Sequence, residues 1–106
     1  MPFQIIRSDI TKVKADVIVN TANPHPIIGS GTDSAIYRAA GEEALLAERR
    51  KIGDISPGQA AATPAFNLSA KYIIHTVGPD WIDGSHHERD TLRACYANSL
   101  ALAAAL

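Results

Sequence analysis

Short apolar runs separated by polar or glycine-rich breaks divide the chain into alternating elements. Phe3 to Arg7 (FQIIR) predicts a short strand ended by Ser8-Asp9, and Ile10 to Lys14 predicts a turn or short helical piece. Val17-Ile18-Val19 is β-branched throughout, which predicts a strand buried on both faces, as in a parallel sheet between helix layers. Beyond a proline-marked loop and the Gly29-Ser30-Gly31 run, Asp33 can serve as N-cap or first-turn anion of a helix reaching Ala40, with Gly41 as its stop. Glu42 to Lys51 (EEALLAERRK) has acids first and bases last, matching the helix dipole, and Gly53 closes it. Ile55 to Gly58 reads as a turn, and Gln59 to Thr63 as a weak strand, because alanine is a poor strand former. Lys71 to Val77 (KYIIHTV) is a stronger strand, stopped by Gly78-Pro79. Asp80 to His87 reads as a polar loop, and Glu88 onward as a long alanine-leucine helix. The order β, β, α, α, β, β, α implies an α/β fold with helices packed on a mixed sheet.

Composition narrows the class. With 46% hydrophobic and 20% charged residues, the chain has enough apolar surface for one domain with a core, and lacks the polar bias of a disordered segment. A net charge of -1, with no basic run beyond Arg49-Arg50-Lys51, excludes the broad electrostatic footprint of a nucleic-acid binder. A nucleotide in a local pocket stays possible. Cys95 is the single cysteine and cannot form an internal disulfide, and no charged leader precedes a long apolar run. Leu100 to Leu106 is too short to cross a bilayer. These features lead to the expectation of a cytoplasmic protein with no membrane partner.

Asp16 to Gly41 carries the chemistry. A strand leading through a glycine loop to a helix N-terminus presents unpaired NH groups and the positive end of the dipole, a setting that suits a phosphate. A dinucleotide-binding GxGxxG is disfavoured, since Ser34 occupies the third glycine position and a long loop separates the glycines from the strand. His86, His87 and Cys95 match no usual zinc spacing, so no metal is expected. Asn20 reads as a turn former, His75 as a packing residue in its strand, His25 as a surface residue, and Trp81 as a loop anchor. Leu92, Tyr96 and Leu100 with Cys95 have the spacing of a packed helix face.

Several motifs then combine. Ser8-Asp9-Ile10-Thr11, DVIVNTAN at 16–23, the glycine loop with Asp33 ten residues after Asn23, AIYRAAG, and AKYIIHTVGPDW at 70–81 resemble the macrodomain family of ADP-ribose-binding modules across essentially the whole chain. The resemblance implies a three-layer α/β/α fold around a mixed sheet, incomplete in this chain, and needs no cofactor. It implies that Asp9 accepts a hydrogen bond from the adenine amino group beside the Ile10 backbone, and that Asn23 contacts the distal ribose. Gly29, Ser30, Gly31 and Thr32 would wrap the diphosphate, with Asp33 near the distal ribose. In hydrolytic members the positions of Asn23 and Asp33 are implicated in orienting or activating water, which makes these two the catalytic candidates. Asp9 as a plain turn residue and Asp33 as a plain cap are the simpler readings of the same positions.

Two departures bear on activity. Hydrolytic relatives often carry several glycines followed by valine and aspartate, whereas here Ile28 precedes Gly29-Ser30-Gly31-Thr32-Asp33. Tyr37 stands where many of them have histidine. Three functions therefore stay open: hydrolysis of ADP-ribosyl or O-acetyl-ADP-ribose ester bonds, recognition of ADP-ribose or an ADP-ribosylated protein without turnover, and a folded fragment without affinity. The last helix reaches Leu106 with no cap or closing glycine, and the family continues with further strands and a second glycine-rich loop carrying an aromatic residue. Residues 1–106 are thus expected to be the N-terminal two-thirds of one macrodomain, with an exposed edge that favours self-association.

Overall fold

A computed structural model describes residues 3–106. Asp9 caps a short 3-10 turn at Ile10–Lys12, after which strand β1 (Val17–Thr21) leads through the glycine loop to helix α1 (Thr32–Ala40). Helix α2 (Glu42–Ile52), strands β2 (Ala60–Pro64) and β3 (Tyr72–Thr76), and helix α3 (Glu88–Ala105) follow. The sheet order is β1-β3-β2, with β1 parallel to β3 and β2 antiparallel to it. The sheet is mixed, as the element order implies.

The period-two alternation of the strands assigns their faces. Ile18 and Ile73 lie opposite one another and point into a cluster with Ile36, Tyr37 and Ala40 of α1 and Leu45 of α2. Ile74 points the other way, toward the face on which α3 crosses β2 and β3. Helices thus cover both faces, giving three layers. β2 forms in spite of its alanines because β3 supplies its ladder, and their small side chains let α2 and α3 approach from either face. Pro64 falls at the end of this edge strand, where its missing NH breaks no ladder bond.

Three expectations are corrected. Phe3 to Arg7 forms no strand: the segment has no ladder partner among the described residues, and Phe3, Ile5 and Ile6 are exposed. A strand exists only through pairing, so apolar content alone does not make one. Val17 to Val19 is not buried on both faces: among the described residues β1 is an edge strand, and Val19 is 46% exposed. The Leu92, Tyr96 and Leu100 stripe of α3 faces solvent, while Cys95 and Ser99 face the sheet. Cys95 donates its thiol hydrogen to the Val77 carbonyl, just beyond β3, at 3.1 Å.

Candidate functional site

A cleft of about 490 Å³ opens between the 3-10 turn and the start of α1, lined by Ser8, Asp9, Ile10, Gly31, Thr32 and Ala35. One wall carries a carboxylate. Asp9 Oδ1 accepts from the Thr11 hydroxyl at 2.7 Å and from the Thr11 amide at 3.0 Å, and these two bonds hold its pKa below the usual carboxylate value. Both bonds converge on Oδ1, which leaves Oδ2 able to accept a further hydrogen bond. The opposite wall is a helix N-terminus. Gly31 caps α1 with φ +64°, a left-handed conformation that glycine adopts at little cost, and no side chain caps the first turn. Free NH groups and a partial positive charge therefore face the cleft, which suits a phosphate.

The loop before this helix is held from below. Asp33 is 6% exposed, with Oδ2 accepting from the Gly29 amide and Oδ1 from Asn20 Nδ2, both at 2.7 Å. A Cβ on Gly29 would lie 3.2 Å from the same Asp33 oxygen, so a side chain there would push the carboxylate back by a few tenths of an ångström. Asp33 sits in the first turn of α1 rather than at the cap. Both of its oxygens are engaged inside the protein.

Asn20 is no turn residue. It belongs to β1, is fully buried, and bridges Asp33 to His75 Nδ1, 3.3 Å away. Asparagine after an apolar run usually forms a turn, which is the role its place in the sequence suggests. Its partners, 13 and 55 positions away, are brought to it by the sheet. His75 packs as expected, with Nε2 on the Thr63 hydroxyl at 3.0 Å; burial first and the Arg49 charge second push its pKa down to about 4, against an opposing pull from Asp33. Tyr37 is also buried, its ring centroid 6.4 Å from that of His75. Burial first, and the nearby Asp33 carboxylate second, raise its pKa. An un-ionised phenol is the form such a site holds.

Among the proposed ligand contacts, Asp9, Ile10, Gly31 and Thr32 line the cleft together, with Gly29 and Asp33 joined directly behind it. Ser30 is exposed at the loop tip. Asn23 is not among the cleft-lining residues: its side chain accepts from the His25 amide at 3.0 Å, and its neighbour Pro24 lines a second cavity of about 230 Å³ at the C-terminal ends of β1 and β3. Arg49 was not anticipated. It is 1% exposed and donates to the carbonyls of Gly53, Asn23 at 3.0 Å and Pro24 at 3.3 Å, tying the loop after β1 to the end of α2. Its place within a basic run gave it the look of a solvated helix terminus. Asp83, His86 and Glu88 bring ligand atoms within 4.8 Å of one another; both Glu88 oxygens take amides of the loop, and Asp83 Oδ1 takes the Ser85 amide and hydroxyl and faces His86 Nδ1, so the group acts as a clasp on the loop.

The Macro domain family model matches residues 19–106. The chain belongs to the Macro domain family. A relative from Citrobacter rodentium named O-acetyl-ADP-ribose deacetylase is 50% identical over 104 residues, covering 95% of this chain and 59% of its own length. The solved macrodomain of Oceanobacillus iheyensis with ADP superposes with a TM-score of 0.84 at 38% identity, over 90% of this chain and 53% of that one. The Trypanosoma brucei macrodomain in complex with ADP-ribose superposes with a TM-score of 0.80 at 37% identity, over 92% of this chain and 39% of that one. The present macrodomain chain therefore spans less than two-thirds of the length of the curated relatives it matches. None of its described helices is long and apolar enough to cross a membrane.

Proposed function

We propose that this macrodomain binds ADP-ribose, with the adenine at Asp9 and the diphosphate along Gly29, Ser30, Gly31 and Thr32. The observation that carries this reading is the cleft itself, in which a carboxylate acceptor faces an uncapped helix N-terminus across a volume of nucleotide size. The ligands named for the Oceanobacillus and Trypanosoma neighbours support it. ADP-ribose presented on a modified protein would enter the same cleft.

A second reading, hydrolysis of ADP-ribosyl or O-acetyl-ADP-ribose ester bonds, is favoured by the name of the Citrobacter relative. In it, Asn23 and Asp33 orient the distal ribose and water. The geometry limits how Asp33 could do so. A carboxylate with both oxygens committed to Asn20 and Gly29 shapes the site, and it would activate water only after releasing one of these bonds.

Calorimetric titration of ADP-ribose into the chain should give saturable heat, and Asp9→Ala should weaken binding by roughly 1 to 3 kcal/mol, the cost of an unpaired hydrogen-bonding partner. No heat at millimolar ligand would end the binding reading. If ADP-ribose binds but O-acetyl-ADP-ribose and an ADP-ribosylated carrier protein are recovered unchanged, hydrolysis falls and recognition survives.

A further inference from the structure

A line of buried polar side chains crosses the sheet from its far edge to the glycine loop. Thr63 on β2 has its hydroxyl 3.0 Å from Nε2 of His75 on β3. Nδ1 of that ring is 3.3 Å from Nδ2 of Asn20, the β1 residue paired with His75 in the ladder. Asn20 Nδ2 is 2.7 Å from Asp33 Oδ1, and Asp33 Oδ2 takes the Gly29 amide at 2.7 Å.

The proton directions follow from the chemistry of each group. An ionised carboxylate only accepts, so the atom of Asn20 facing Asp33 must be the amide nitrogen. One hydrogen of that nitrogen goes to Asp33, and the other points at His75 Nδ1, which must then present a lone pair. The imidazole is therefore neutral with its hydrogen on Nε2, donated to Thr63 Oγ1. The charged and titratable groups around the ring agree with this form. Arg49 from α2 opposes protonation and Asp33 from α1 favours it, while Tyr37 of α1 packs beside the ring; burial outweighs the rest. With both nitrogens engaged and no exposed surface, His75 has no route to a ligand.

We infer that His75 and Thr63 are positioning residues for the ligand loop, acting through Asn20 and Asp33 to fix the place of Gly29 and the start of α1. Asp33 selects the nitrogen of Asn20, the acceptor at Nδ1 takes its second hydrogen and so holds that amide in place, and Asp33 in turn holds the Gly29 amide. Removal of that acceptor leaves a buried amide hydrogen unpaired, and the asparagine gains reason to rotate away from the carboxylate. The consequence for ligand affinity rests on the ADP-ribose reading above, whereas the consequence for the loop does not.

Paired substitutions separate this role from general packing. His75→Asn keeps an acceptor near the position of Nδ1, whereas His75→Gln moves its amide toward the position of Nε2. Thr63→Val deletes only the hydroxyl at similar volume, and Thr63→Ser restores it. The readout is hydrogen exchange of the Gly29 amide in the 106-residue chain, relative to the Leu45 amide, which bonds to the Gly41 carbonyl at the start of α2. Exchange at Gly29 should rise about tenfold in His75→Gln, which lacks an acceptor at Nδ1, and in Thr63→Val, where the Nε2 hydrogen loses its partner and the ring can instead carry its hydrogen on Nδ1, against Asn20; the factor is that of one net hydrogen bond. It should stay near the wild-type value in His75→Asn and Thr63→Ser. Equal Gly29 exchange in Thr63→Val, Thr63→Ser and the wild type overturns the inference, whether or not the His75 variants fold. ADP-ribose titration of the same proteins keeps the two claims apart: an unresponsive wild type with the expected exchange pattern ends the ADP-ribose reading and leaves the positioning role standing.

Discussion

Asp33 shows how one residue can serve the fold and the ligand site together. Its carboxylate receives one donor from the sheet and one from the loop, so it joins β1 to the N-terminus of α1 by its two oxygens. Asp33→Asn keeps the shape but offers a single accepting oxygen to two buried donors, forcing an NH2 against either Asn20 or Gly29. Urea denaturation should show a loss of about 1 to 3 kcal/mol, the penalty for a buried unpaired polar group. An unchanged midpoint would mean that the loop is held by other contacts. A turnover defect at this position has to be read beside that stability loss. His75 adds a titration of its own. Its folded pKa of about 4 lies below the ordinary 6.5, so the folded state binds fewer protons between these values and the stability it preserves is complete above pH 6.5. That stability falls as pH drops toward 4, by up to roughly 3 kcal/mol.

Among the elements, the start of α3 shows the tightest local logic. Glu88 is buried and folds the preceding loop around its carboxylate, with Oε2 taking the amides of Ile82, Asp83 and Gly84 and Oε1 that of His86. Burial pushes its pKa up, but the backbone donors outweigh burial and bring it down to about 2. Because the folded pKa lies below the ordinary 4.5, this clasp contributes stability above pH 4.5 and loses it as pH falls toward 2. Glu88→Gln should remove that acid dependence and speed exchange at the Ile82, Gly84 and His86 amides, measured by NMR between pH 2 and 7. Retained protection would place the loop's order elsewhere, for instance in the Trp81 ring that lies over Gly84. The loop's polarity was plain in the sequence, whereas the clasp was not, since nothing in the composition of residues 80–88 singles out one carboxylate for four amides.

At the scale of the whole molecule, the free edge of β1 dominates. Among the described residues the strand has β3 on one side only, Val19 is exposed on it, and the outer stripe of α3 adds Tyr96 and Leu100 at 68% and 70% exposure. An unpaired edge next to apolar side chains is a surface for association. Sedimentation at micromolar concentration should give a mean mass above the 11.3 kDa monomer, and Val19→Lys should shift it toward the monomer by placing a charge on that edge. A monomeric wild type would show that the edge is protected in solution.

Local pattern was sufficient wherever the determinant is local. The acid-to-base gradient of α2, the β-branched core of β1 and β3, the turn residues around Gly53 and Gly58, and the glycine loop feeding α1 were all legible along the chain, because dipoles, rotamers and turn dihedrals act over a few residues. The placement of Asp9 and Thr32 on one cleft was legible only through the family resemblance. Tertiary structure alone decided the rest. Phe3 to Arg7 has strand composition but no partner, Leu92, Tyr96 and Leu100 have the spacing of a buried face but lie outside, and Asn20 and Arg49 carry side chains usually found at surfaces yet are buried. In each case the outcome depends on which remote group arrives to pair or cover. That is settled by the crossover topology of β1, β3 and β2, which brings together residues that no local sequence window contains.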